Sequence, residues 1–391
     1  MRIFGADACK DRLVLCCLEA LPSDPREDFL DAEFEQVSTN TLGLKQFLDL
    51  EPDVVVLEPT GMHYIKFWLH HLEENGVEVR LVHNTRLPKF RSEILDIPDK
   101  DDEADAYSLA LYYWHYNDNP ARWVTVRDSV VQRMREIHFK LSHNARITTA
   151  IINRLHQVLS HEFPEAAKKT INAPLFWGWV AGERKSQRYD LMLENSKGLG
   201  ISEPTRFDAG ALYHYILEDD RLEAELKEIY CNDSRFDPYR QVFDQFGFGL
   251  RCSALILSQI YPLEDFLGKD GKPIVKRTKG RYSKKKTKKY LSLRRFRKAL
   301  GDAPTREWSG NSKKSKKSGS QLCRTALWQW INRRIVTRVS NAALKTELGE
   351  KYRKLYHDGK VKKQVDQKLR ASIRHQVVED LFYSLINAII R

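Results

Sequence analysis

The sequence predicts an α/β plus α protein: an N-terminal mixed sheet with helices, a central helical coiled-coil hairpin, and a mainly α C-terminal domain. Three observations carry that expectation. Short β-type runs alternate with helical spacing over the first 118 residues, heptad-spaced apolar residues fill the middle, and apolar helical stretches separated by lysine-rich segments make up the rest. The expected divisions are 1–120, 121–240 and 241–391. A chain of 391 residues, 42% apolar and 30% charged, has an ordinary globular composition and enough length for two or three cores.

The N-terminal elements follow from local pattern. Ile3–Ala6 and Leu13–Leu18 are short apolar runs around a turn, as in a hairpin, and Phe34–Ser38 reads as a third strand before a helix over Leu42–Leu50. Val54-Val55-Val56-Leu57 is a continuous run of buried-strand type. Pro59-Thr60-Gly61 breaks it, and Met62–Glu74 has helical spacing at Tyr64, Phe67, Trp68 and Leu72. Val77–Val82 is another strand, and the stretch from Glu103 to Tyr116 is helical.

Farther on, Val130, Met134, Ile137, Leu141, Thr148, Ile151, Leu155 and Val158 recur three, four or seven apart. Leu212, Tyr215, Asp219, Leu222, Leu226 and Ile229 repeat the pattern after an aromatic and glycine-rich stretch at 173–207, which predicts two long antiparallel helices. Phe246-Gly247-Phe248-Gly249 reads as a turn before the helix Cys252–Ile260. Residues 268–290 read as a low-complexity basic insertion, mobile without a partner, and Thr305–Ser320 as a polar loop. Helices are expected over Leu293–Leu300, over Leu322–Val339 and near the C-terminus.

Charge is unevenly spread. The net charge of +12 conceals a stretch, 268–320, with 20 Lys and Arg against 3 Asp and Glu, and an N-terminal 118 residues with 11 basic and 24 acidic side chains. The basic stretch suits a polyanion and the acidic end suits a cation. No run of about 18 apolar residues occurs, so no membrane span is expected, and the early charges of the N-terminus do not suit a signal peptide. Six cysteines without Cys-x-x-Cys spacing point to a reducing cytoplasm and away from a zinc site.

Four carboxylates stand where a charge is costly unless used. Asp7 ends the first strand, Glu58 ends the run Val54–Leu57, and Asp102 and Asp105 lie three apart on one side of a helix start. Such a set suits Mg²⁺ (or Mn²⁺) and phosphodiester chemistry, though acids at a helix start also simply complement its dipole. No phosphate-binding Gly-x-x-x-x-Gly-Lys loop and no His-Glu-x-x-His is present. One His-x-x-Arg, His83–Arg86, falls in the wrong domain for a tyrosine recombinase.

Gly5-Ala6-Asp7, Leu57-Glu58-Pro59-Thr60-Gly61 and Lys100-Asp101-Asp102-Glu103-Ala104-Asp105-Ala106 occur in that order. Together they resemble the RuvC-like (RNase H-like) domain of the DEDD insertion-sequence transposases, the bridge-RNA-guided serine recombinases related to the pilin-gene DNA invertase. The family has Gly-x-Asp, Glu-(Pro/Ala)-Thr-Gly and Lys-Thr-Asp-x-x-Asp-Ala; Asp101 stands here where Thr is usual. In the second half Phe246-Gly247-Phe248-Gly249, Ser309-Gly310 and Lys317-Ser318-Gly319 with Leu322-Cys323-Arg324 fit the family's later motifs, the first without its proline. The resemblance implies Asp7, Glu58, Asp102 and Asp105 as catalytic metal ligands and Ser309 as nucleophile. It further implies donor and target DNA and a structured bridge RNA as partners, dimers pairing into tetramers, composite active sites, and association with the nucleoid.

A basic set would hold the nucleic acid: Lys276, Arg277, Lys279, Arg281, Lys284, Lys285, Lys286, Lys288, Lys289, Arg294, Arg295, Lys313, Lys314, Lys316 and Lys317. Arg297 and Lys298 extend it, and Tyr282, Tyr290, Phe296 and Trp308 interleave it as stacking candidates. The alternatives are a RuvC-like nuclease in which water attacks, and a non-catalytic RNA-binding protein.

Overall fold

The computed structural model describes residues 1–59, 62–124, 128–167, 173–279, 286–309, 312–337 and 342–390; the side chains at 62, 63, 121, 167, 305–309 and 312–316 lie outside that description. The chain is mixed α/β and divides into two compact units, Met1–Arg127 and Asp128–Arg391.

The first unit comprises β1 (Ile3–Ala8), β2 (Arg12–Leu18), α1 (Pro25–Leu30), β3 (Phe34–Ser38), α2 (Thr41–Asp49), β4 (Val54–Leu57), α3 (Met62–Glu74), β5 (Glu78–Leu81), α4 (Leu87–Ile94) and α5 (Asp102–Tyr116). Its strands form one five-stranded sheet in the order β3-β2-β1-β4-β5. β2 runs antiparallel to β1 and β3, whereas β1, β4 and β5 are parallel. Pleating sends alternate residues of β1 to opposite faces. Phe4 and Ala6 join a core with Phe47 of α2 and Ile65, Trp68 and Leu72 of α3. Ile3 joins the opposite core, built with α4 and α5. Gly5 and Asp7 share the face of Ile3, so Asp7 is directed toward α5.

Why α5 lies so close to β1 is visible at Gly5. A Cβ there would overlap the carbonyl oxygen of Ala106 and the amide nitrogen of Ala110. Only glycine lets the helix backbone rest on the strand.

The second unit comprises α6 (Ser129–Glu162), α7 (Pro164–Ala167), α8 (Pro174–Val180), α9 (Gln187–Glu194), α10 (Glu203–Asn232), α11 (Asp237–Gln245), α12 (Leu250–Ile260), β6 (Val275–Lys279), β7 (Lys286–Tyr290), α13 (Leu291–Ala299), β8 (Thr305–Ser309), β9 (Ser312–Lys316), α14 (Gln321–Trp330), α15 (Glu347–Val361) and α16 (Asp366–Ile389). A wide π-type turn, Ile331–Ile335, continues α14.

The two long helices pack antiparallel. Arg133 pairs with Glu225, Asn144 Nδ2 donates to Asp219 Oδ1 at 2.8 Å, and Arg154 pairs with Asp208. One end of the hairpin shares a core with α11–α16, in which Met134, Leu222 and Leu226 meet Phe243, Ile256, Trp330 and Phe382. The other end encloses a separate aromatic core of Phe163, Phe176, Trp177 and Tyr189. Phe246 and Phe248 stack at 5.4 Å inside the first core, so the turn before α12 serves as a packing anchor.

Two expectations are corrected here. The basic segment 268–290 is not structureless: β6 and β7 pair antiparallel, with Lys276 opposite Lys289, Arg277 opposite Lys288 and Lys279 opposite Lys286. The stem is fixed by Ile274 N donating to the buried Ser292 Oγ at 2.8 Å. The polar loop of 305–320 is likewise a hairpin, β8 with β9. Both ribbons lack the alternating apolar pattern that reveals a strand, and the side chains of β6 and β7 are almost all exposed.

Candidate active site

Asp7 lies at the end of β1, and the parallel register pairs Ala6 with Leu57, so Glu58 follows on the neighbouring strand. Asp102 opens α5, which Gly5 admits to the same face. These three carboxylates therefore converge from two strand ends and one helix start.

Asp7 is 5% exposed, and its Oδ2 is buried without a hydrogen-bond partner. Burial pushes its carboxyl up to about 7; Lys100 opposes this, while Asp105, Asp102 and Glu58 add to it. The ligand atoms of Asp7, Cys9 and Asp102 all lie within 4.8 Å of one another. Cys9 Sγ donates to Asp102 Oδ2 at 3.5 Å, and burial first, then Asp102 and Asp7, raises its thiol. Lys100 Nζ stands 3.8 Å from Asp102 Oδ1 and is itself raised, chiefly by Asp7.

Asp105 is placed differently from its partners. It is buried and ion-paired with Arg91 of α4, which also donates to Ile97 O at 3.2 Å and Pro98 O at 3.3 Å. Burial raises the Asp105 carboxyl and Arg91 opposes the rise. Arg91 is the site residue that sequence reasoning missed. Its signal was present, since Leu87, Phe90, Arg91 and Leu95 share one helical face and an arginine there needs an acid.

The unusual Asp101 does not point into the cluster. Its Oδ1 accepts from the amides of Glu103 at 2.8 Å and Ala104 at 2.9 Å, capping α5. This cap fixes the start of the helix that carries Asp102.

Ser309 is the last residue of β8 and pairs with Ser312 of β9. Its side chain, and Gly310 and Asn311, lie outside the described residues. The base of this hairpin is firmly held. Ser318 Oγ donates to Ala303 O at 2.7 Å, and Arg324 Nη1 donates to Gly301 O at 3.1 Å and Ser318 O at 3.4 Å. The buried Asp302 accepts from Arg374 Nε at 2.7 Å and pairs with His375 Nδ1 at 2.5 Å. Gly319 closes the base at φ +76°, where a Cβ would overlap the carbonyl of Lys298. Gly319 and Arg324 thus serve to fasten the hairpin that bears Ser309.

The basic set divides. Lys276, Arg277, Lys279, Lys286, Lys288 and Lys289 are exposed on β6 and β7, as are Arg294, Arg295 and Lys317 elsewhere. Arg281, Lys284, Lys285 and Tyr282 lie outside the described residues, as do the side chains of Lys313, Lys314, Lys316 and Trp308. Arg297 is tied to Glu379 at 2.8 Å. Phe296 is fully buried, so among the stacking candidates it is corrected to a core residue, whereas Tyr290 is exposed.

No described helix is long and apolar enough to cross a membrane. No protein-family model matches this chain, and no curated protein matches it.

Proposed function

We propose that this chain is a DNA recombinase of the transposase type, with Mg²⁺ or Mn²⁺ as cofactor, Ser309 as attacking group and a structured guide RNA as second nucleic-acid partner. The observation that carries the metal-dependent part is Asp7. A carboxylate this buried, with an unpartnered oxygen and three further acids acting on it, requires either a proton or a cation. A five-stranded mixed sheet with carboxylates at adjacent strand ends supports the RuvC-like reading.

The residues present fit an oxygen-preferring divalent ion. Asp7, Glu58 and Asp102 would hold it, with Asp105 engaged by Arg91. When bound, the ion supplies stabilisation of charge on the attacking and leaving oxygens of a phosphodiester. The protein's own groups prepare that chemistry: Asp101 fixes the start of α5, Arg91 neutralises Asp105, and Lys100 offsets part of the remaining charge.

Attack by Ser309 Oγ forms a phosphoserine ester, its proton passing to solvent or a base, and breaks the bond to a sugar oxygen that leaves protonated. The ester retains the energy needed to rejoin another strand, so no nucleotide cofactor is consumed. The exposed cations of β6 and β7 would hold phosphates without reading bases, leaving sequence choice to base pairing.

The test is trapping. Purified full-length protein, its co-purifying RNA, DNA containing the recombination site and Mg²⁺ are combined and denatured. A covalent protein–DNA adduct is expected, absent in Ser309→Ala and in Asp7→Asn. Cleavage without an adduct would assign attack to water, and unimpaired recombination by Ser309→Ala would remove the serine from the chemistry.

A further inference from the structure

Beside its apolar seam, α6 carries a second face that the proposed chemistry leaves unused. Arg135, His138, Phe139, Ser142, His143 and Arg146 recur at three- and four-residue steps and so lie along one side of the helix. They line a cleft of about 640 Å³, closed on its other side by α12 and the first turn of α14. The volume suits a ligand of nucleotide size.

Three properties of the cleft define its ligand. First, its lining holds two arginines and two histidines and no carboxylate. Second, Phe139 is 56% exposed, with the Arg135 guanidinium carbon 5.9 Å from its ring centre. A large aromatic left in water among cations is a platform for a flat ring attached to an anion. Third, His138 is only 7% exposed and lines the cleft with a buried Nε2 that has no hydrogen-bond partner. A buried ring nitrogen without a partner is costly unless a ligand completes it. α14 begins in the same cleft, Ser320 Oγ accepting from Cys323 N at 3.2 Å, so the positive end of a ten-residue helix adds to the field.

We propose that this cleft binds one unpaired nucleotide of a single-stranded nucleic acid, its base on Phe139 and its phosphate between Arg135 and Arg146, with His138 hydrogen-bonded to the ligand. The site is separate from the basic ribbon of β6 and β7 and would recognise a loop or displaced strand rather than a duplex. The inference rests on nucleic acid being a partner of this chain, but it is independent of the strand chemistry.

The experiment measures fluorescence anisotropy of a labelled twelve-nucleotide oligouridine and of a matched duplex with full-length protein. Phe139→Ala and Arg146→Ala are each expected to weaken single-strand binding by about tenfold while leaving duplex binding unchanged. Phe139→Trp should retain affinity, and its indole fluorescence should be quenched by the oligonucleotide. Circular dichroism and thermal melting establish that each variant is folded. Equal single-strand affinity in both loss variants would overturn the cleft. So would a changed oligomeric state in Phe139→Ala with binding intact, which would make this face a contact between copies. If the parent protein binds neither nucleic acid, the nucleic-acid reading of the whole chain fails with it.

Discussion

A carboxylic acid held near neutrality in water-poor surroundings makes the fold sensitive to pH. In the unfolded chain Asp7 ionises near its ordinary value of 3.8; in the cation-free fold it does so at about 7. Between those values the unfolded state has lost the proton and the folded state has kept it. The contribution of Asp7 to stability is therefore greatest below about pH 4, falls as pH rises to about 7, and levels off above, a loss of at most about 4 kcal/mol. Asp7→Asn removes that loss, so cation-free Asp7→Asn should melt above the parent at pH 8 and together with it at pH 4. Mg²⁺ should raise the melting temperature of the parent at pH 8 and leave Asp7→Asn unmoved. Thermal denaturation at both pH values, with and without Mg²⁺, checks all three outcomes. Asp7, Glu58 and Asp102 could be read from sequence because each interrupts an apolar run or opens a helix. For Arg91 the apolar face of α4 was a signal of burial, but its partner was not legible, since Asp105 lies on another element.

Among the elements, the docking of α5 on β1 decides whether a site exists. The Gly5 contact is backbone against backbone, so no side-chain rearrangement can relieve an added methyl group. Gly5→Ala is expected to cost about 3 kcal/mol or more and to weaken Mg²⁺ binding, because α5 carries Asp102. Chemical denaturation and calorimetric Mg²⁺ titration would show it; parental values for both would mean the helix moves off without consequence. Strands with apolar runs and helices with apolar faces were legible because local pattern and burial agree there. None of the eight seam positions predicted along α6, nor any position of the α10 repeat, is exposed. The ribbons β6–β7 and β8–β9 were not legible, because neither sequence carries the apolar alternation of a strand with a buried face, and cross-strand pairing leaves no such mark. The polar pair of Asn144, fully buried, and Asp219 was half legible: an acid in a heptad repeat was visible, its amide partner was not.

Across the whole molecule charge is segregated, acidic in the unit that bears Asp7 and basic in the ribbons of the other. Nucleic-acid binding should therefore follow salt through the second unit alone. Exchanging Lys276, Arg277, Lys279, Lys286, Lys288 and Lys289 for glutamine should lower the slope of log affinity against log salt by about 0.7 to 0.9 for each phosphate no longer neutralised. An unchanged slope would place the phosphates elsewhere.

The same ribbon has a polyelectrolyte character of its own. Three of its five rungs set cation opposite cation, and the rungs at 276 and 277 are consecutive. Two positive charges per residue step of about 3.4 Å amount locally to one per about 1.7 Å, the axial charge density of duplex DNA with its sign reversed. Such a surface gathers anions from solution as DNA gathers cations, and contact between the two releases ions from both. Free ribbon and bound ribbon then respond to salt in opposite senses: added salt relieves the repulsion between rungs in the free protein and erodes the gain from binding. The hairpin would be most completely formed on its polyanion at low ionic strength, and in the free protein at high ionic strength.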